Sequence, residues 1–243
     1  MYTPEEIFEQ TAVTAVVKVN KPLLTKLILG FIGGAMISLG YLAYLRVGGG
    51  FVGAAVFPVG LIVILLAGGE LITGNMMAVA VGYFKQRVTL TELLKNWVVI
   101  TLANLIGAIF VAYVFGVLAG TLTTGDALKE TLHVAQTKLN ANFLAAFCSG
   151  IGCNWFVGLA VWLSYGAKDF SGKILAIWFP VMTFVVIGFQ HSVANSFLIH
   201  FTIFVGHASW LDFLNNFIPV YLGNVVGGAI LIALLYSLAY RKH

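Results

Sequence analysis

A few polar side chains stand nearly alone in long apolar stretches, and their types suit proton exchange and anion handling. His191 lies in Gly188-Phe189-Gln190-His191-Ser192-Val193-Ala194-Asn195. An imidazole, with an ordinary pKa of roughly 6.5, exchanges protons near neutrality. An ionisable side chain at bilayer depth is costly and marks a functional site by default. Glu70 lies in Leu66-Ala67-Gly68-Gly69-Glu70-Leu71-Ile72-Thr73-Gly74-Asn75 and is the sole carboxylate at such depth. It reads as an anchor for its own loop rather than as a proton carrier. Asn154, in Gly150-Ile151-Gly152-Cys153-Asn154-Trp155-Phe156-Val157, must find hydrogen-bond partners in a dry setting. It can pack helices, or it can donate to His191 or to a substrate. Lys138 falls at the edge of the apolar stretch that holds Asn154. There its ammonium either snorkels to headgroups or draws anions inward. Thr73 offers a hydroxyl that can satisfy freed backbone groups or touch a substrate. Ser192 follows His191, but nothing links the two to an activating carboxylate, so nucleophilic catalysis finds no support. A haem held by His191 and His200 lacks an evident second ligand helix, and Cys148 and Cys153 read as small apolar fillers. No metal cluster, cofactor or enzymatic activity is expected.

The elements that must position these groups are membrane spans. Of 243 residues, 60% are hydrophobic and 9% are charged, against about a quarter charged in soluble domains. Charge-free runs long enough for a bilayer core predict six spans, near 24–45, 54–84, 97–119, 140–165, 174–206 and 217–239. The second and fifth are interrupted by the glycine-rich strings around Glu70 and His191. A shift of 120 lays Leu71-Ile72-Thr73-Gly74-Asn75 on His191-Ser192-Val193-Ala194-Asn195, Asn104 to Gly107 on Asn224 to Gly227, and Gly30 on Gly150. Three spans per copy is an odd number, so the second copy enters the membrane from the opposite side. Paired broken helices in inverted halves point to a midplane site in a transporter or channel. Asn75 and Asn195 are expected to cap the second half of each broken helix.

Ten Lys and Arg residues, Arg241 and Lys242 among them, fall on one side of this topology. Three fall on the other: Arg46, Lys129 and Lys138. Both termini should therefore be cytoplasmic. The basic balance is a topology signal, since no clustered basic face suggests nucleic acid. Residues 1–22 read as a cytoplasmic amphipathic helix, and the first 26 residues do not read as a cleavable signal. One membrane domain is expected, with repeats near 23–120 and 140–240. Gly120 to Thr137 should be an outside loop, and His133, His200 and His207 surface residues.

The G-G-E-L-I-T-G-N, C-N-W-F-V and Gln-His-Ser-Val-Ala-Asn strings, in this order and spacing, resemble the signatures of the formate/nitrite transporter family. The resemblance spans nearly the whole chain. It implies an all-α, aquaporin-like fold with an inverted 3+3 repeat, assembled as homopentamers with one path per protomer. It implies small monovalent weak-acid anions (formate, nitrite, hydrosulfide or lactate) as substrates, with protons taking part. It places His191 at the path's centre, Thr73 on the loop facing it, and Asn154, Lys138 and Asn195 along the path. Phe57, Leu61, Leu71, Ile72 and Phe184 match the family's two constrictions, and Glu70 and Gln190 its loop anchors. Many formate-type members place Glu before the histidine, where this chain has Gln190. A neutral-solute, aquaporin-type pore is the rival reading, although no Asn-Pro-Ala pair occurs.

Overall fold

A computed structural model of the chain describes residues 1–240. Arg241 and Lys242, counted in the topology argument, lie outside the described residues. The fold is all-α. Six stretches are long and apolar enough to cross a bilayer. They are Leu23–Arg46 (α2), Gly50–Gly68 (α3 Gly50–Val56, α4 Val59–Val63 and a π-helical turn) and Leu90–Leu118 (α6 Leu90–Val111 and a π-helical turn). The others are Phe143–Gly166 (α8), Phe170–Ile187 (α9) and Trp210–Ala239 (α11 Trp210–Val225, a π-helical stretch and α12 Leu235–Ala239). Two shorter helices, Ile72–Phe84 (α5) and Ser192–Phe204 (α10), follow the breaks. Every residue from Ile72 to Gly82 and from Ser192 to Thr202 is buried. Helices apolar all round belong at the centre of a bundle, and α5 and α10 occupy that place.

Thr89 and Ser209 open α6 and α11 with capping boxes to Glu92 and Asp212, and each box lies 120 positions from the other. The charged first turns they create start these helices seven residues before the expected 97 and 217.

The expected outside loop is a helix over most of its length, Gly125–Leu139 (α7). Its buried residues are only Thr131 and Ala135, so it lies along the surface of the bundle. Lys138 therefore sits in the last turn of α7, apart from the fourth span. The N-terminal amphipathic helix, Pro4–Asn20 (α1), moved by 120, becomes 124–140 and coincides with α7. Thr101 Oγ1 and Tyr221 OH are 2.9 Å apart and also differ by 120. Equivalent residues of two copies can touch each other only where the pseudo-two-fold axis passes.

Glycine sets how closely α2 meets α6. A Cβ on Gly107 would collide with the Phe31 carbonyl and the Ala35 amide, and one on Gly227 with the Ile151 carbonyl and the Trp155 amide. These are the same contacts, 120 positions apart. Gly223 packs against α8 in the same way, so both glycines of α11 and its π-helical continuation serve contact within the protomer. Gly107→Ala is expected to cost about 2 kcal/mol by overpacking against backbone. Thermal unfolding in detergent checks this, and an unchanged Tm would mean that the two helices separate freely.

Candidate functional site

Both helix breaks begin at a glycine that a side chain could not replace without strain. Gly68 has φ of 101° and Gly188 has φ of 85°, again 120 apart. The chain then runs extended through Leu71 (φ −116°) and His191 (φ −107°), the N-cap positions of α5 and α10. The broken segments expose backbone groups that no water at this depth would satisfy. Two buried asparagines satisfy them. Asn104 Oδ1 accepts from the Ile72 amide (2.8 Å), and its Nδ2 donates to the carbonyls of Gly30 (2.6 Å) and Glu70 (2.8 Å). Asn224 Oδ1 accepts from the Ser192 amide (3.0 Å), and its Nδ2 donates to Gly150 (2.8 Å) and Gln190 (3.2 Å).

Asn75 and Asn195 do not cap the half-helices. Asn75 Nδ2 donates to Glu70 Oε2 (2.8 Å) and Asn96 Oδ1 (3.0 Å). Asn195 Nδ2 donates to Gln190 Oε1 (2.7 Å) and Asn216 Oδ1 (2.9 Å). The cap of α10 is His191 itself, whose Nδ1 accepts from the Ala194 amide at 3.2 Å. The side chains of Glu70 and Gln190 thus tie each loop to the helix that follows it.

Charge is distributed differently in the two halves. Lys18 and Lys21 both bond the Glu70 carboxylate, at 2.8 and 3.0 Å. Lys138 Nζ donates instead to the Gly188 carbonyl (2.8 Å), and among the described residues no carboxylate pairs with it. Lost hydration pushes its pKa below the usual lysine value, so its charge should disappear at a lower pH than an exposed lysine's. Glu70→Gln would leave two lysines facing a neutral amide. It should cost about 2 kcal/mol, less than breaking a fully buried pair because the lysines keep some hydration. A melting temperature equal to that of the unaltered protein would contradict this.

Two cavities flank the breaks. One of about 60 Å³ is lined by Tyr41, Phe57, Lys138, Phe184, His191 and Asn195, among others. The other, about 10 Å³, is lined by Lys18, Leu61, Ile64, Leu71, Asn75 and Tyr165, among others. Lys138, Phe184, His191 and Asn195 in the first match Lys18, Ile64, Leu71 and Asn75 in the second at a shift of 120. Phe57 and Phe184 close the first cavity edge to face, with ring centroids 5.9 Å apart, and Phe184 stacks 6.3 Å from His191. Leu61 and Leu71 line the second. Ile72 is fully buried and lines neither.

The two breaks meet at one contact, His191 Nε2 to Thr73 Oγ1, 2.9 Å. A backbone amide can only donate, so Nδ1 is the acceptor toward Ala194. The neutral ring therefore carries its proton on Nε2, directed at the Thr73 oxygen. Asn154 Nδ2 donates to the carbonyls of Thr73 (3.2 Å) and Asn224 (2.6 Å), joining the halves behind this pair without bonding His191. Among the described residues, Asn154 Oδ1 and Ser192 Oγ have no partner. Of the other histidines, His133 and His207 are exposed. His200, expected at the surface, is buried with its ring 5.1 Å from Trp210 and 4.4 Å from Phe213. It packs where α10 meets α11.

A family model described as formate/nitrite transporter matches residues 5–238. The chain belongs to the formate/nitrite transporter family. A formate channel of Bacillus thuringiensis is 50% identical over 251 residues, covering 99% of this chain and 96% of that one. A solved FNT family ion channel superposes with a TM-score of 0.90 at 27% identity, over 96% of this chain and 98% of that one. A solved pentameric formate channel with formate bound gives 0.77 at 28% identity, over 90% and 98%. As a formate/nitrite transporter, the chain is a multi-pass membrane channel or transporter and not an enzyme.

In the sequence Asn104 and Asn224 stand out only as landmarks of the repeat; the latch they form emerges in the fold. A shared asparagine in two apolar helices at the common offset was the available signal. The role of Lys18 and Lys21 had no local signal, since Glu70 is about fifty residues away.

Proposed function

We propose that this protein carries formate and closely similar small weak-acid anions across the cytoplasmic membrane, with both termini in the cytoplasm. Three features support a route for the anion through His191. The lysine-necked cavities and the inward-facing N-termini of α5 and α10 make both approaches electropositive. The phenyl and leucyl constrictions penalise a bare charge. Between them stands a proton-bearing pair. The observation that carries the reading is the 2.9 Å contact between His191 Nε2 and Thr73 Oγ1 at the junction of the breaks. Among the described residues the Thr73 hydroxyl has no other hydrogen-bond partner, so its proton is free to turn toward an anion. Once His191 has taken a second proton from water on the acidic side, the imidazolium passes one proton through the Thr73 hydroxyl to the anion; the ring returns to its neutral form, and the neutral acid crosses the constriction at lower cost. The relatives named as formate channels support formate as the first substrate to try, and the pentameric neighbour supports a homopentamer with one path per protomer.

Uptake into proteoliposomes tests the reading, comparing formate, nitrite, hydrosulfide and lactate against protein-free vesicles at several external pH values. Selective flux that rises on external acidification is expected. Rapid water or glycerol flow without any weak-acid flux would favour the neutral-solute pore.

A further inference from the structure

The pseudo-two-fold correspondence pairs three positions at the necks of the cavities: Lys18 with Lys138, Glu70 with Gln190, and Lys21 with Ala141. At the Lys18 neck, two ammoniums hold one carboxylate, which leaves one positive charge. At the Lys138 neck, one ammonium holds the Gly188 carbonyl, and the neutral Gln190 amide shares the Asn216 Nδ2 donor with the Lys138 carbonyl, which also leaves one. The two mouths thus reach the same net charge with different residues. Gln190 keeps the anchoring geometry of Glu70: its Oε1 accepts from Asn195 (2.7 Å) and Asn216 (2.9 Å), much as the Glu70 carboxylate accepts from Asn75. What it lacks is the charge. The nearest acid along α7, Glu130, lies two turns away at the rim, where Arg46 shares its pocket.

We propose that Gln190 sets the anion affinity of the Lys138 mouth, and that residues 141 and 190 form a compensating pair. A carboxylate at 190 would draw Lys138 into an ion pair and cancel the charge that meets the anion. A lysine at 141, copying Lys21, would restore it. The proposal rests on the anion path described under Proposed function.

Initial rates of formate uptake into proteoliposomes test it for the unaltered protein, Gln190→Glu, Gln190→Met and the double variant Ala141→Lys/Gln190→Glu. Gln190→Glu is expected to raise KM roughly tenfold at low ionic strength, as one cancelled charge at close range implies, and less at high salt. Gln190→Met removes the acceptor that Gln190→Glu would keep and adds no charge, so it reads the anchoring role apart from the charge, and any rise in its KM should be much smaller than that of Gln190→Glu. The double variant should bring KM back to within about twofold. An unchanged KM in Gln190→Glu overturns the proposal. So does an equal rise in Gln190→Met, or a double variant of normal melting temperature whose KM stays high. If the unaltered protein carries no formate, the anion path itself fails, an outcome separate from any difference among the variants.

Discussion

Asn224→Ala is expected to destabilise the folded chain by about 4 kcal/mol, since it strips the partners from the Ser192 amide and the Gln190 carbonyl, each worth about 1–3 kcal/mol when left unsatisfied, and removes a further contact to the Gly150 carbonyl within α8. Membrane helices usually lose less from a missing hydrogen bond, because helices separated in the bilayer keep their own backbone bonds. The break is different: the Ser192 amide and the Gln190 carbonyl have no intrahelical partner and depend on this one side chain. Against a total stability of about 5–15 kcal/mol, the loss should sharply lower the yield of folded protein. Asn104→Ala should do the same, because it unlatches the other break by equivalent contacts. Unfolding in detergent by heat or denaturant checks both. A Tm within error of the unaltered protein would show that the latch is dispensable.

His191→Phe is the second large effect. Phenylalanine keeps the ring and its stacking on Phe184 but removes both nitrogens. The loss of the cap to Ala194 should cost about 1 kcal/mol, too little to prevent folding. Loss of the Nε2–H beside Thr73 should lower formate uptake by roughly 100-fold, the lower range for a positioned proton donor. Residual flux should lose its dependence on pH. Flux and pH profile both unchanged would remove His191 from the mechanism. His191→Gln separates two roles, since an amide can still donate to Thr73 but cannot exchange a proton near neutrality. Full pH-dependent flux in that variant would place proton delivery in the cavity water.

Much of this architecture was legible in the sequence because glycine and asparagine leave strong marks in apolar segments. The breaks followed from Gly68-Gly69 and Gly188, and the inverted repeat from one offset shared by several strings. The fold and family expectations hold. Other features stayed hidden for physical reasons. The helix Gly125–Leu139 is polar and buries little, so hydropathy had nothing to detect. The early starts of Leu90–Val111 and Trp210–Val225 are written in Thr89-x-x-Glu92 and Ser209-x-x-Asp212, a local capping signal that charge-free length does not contain. Asn75 and Asn195 were misassigned as caps because an asparagine near a helix start suits that role. In the fold, each instead reaches back to the residue at position 70 or 190. Lys18 meets Glu70 only when the chain closes, a relation that no local pattern encodes.

The lysine necks have a further consequence, for energy conservation. A conduit that passes a weak acid must not also pass hydronium, or the proton-motive force across the membrane would drain through it. The positive charge at each mouth that admits an anion repels hydronium. The N-termini of Ile72–Phe84 and Ser192–Phe204, both facing the centre, extend that repulsion inward. The edge-to-face pair Phe57–Phe184 leaves little room for a continuous file of water along which protons could hop. On the mechanism proposed above, the barrier would give way only to a proton handed to its anion at His191, and the membrane would stay electrically tight while the acid crosses.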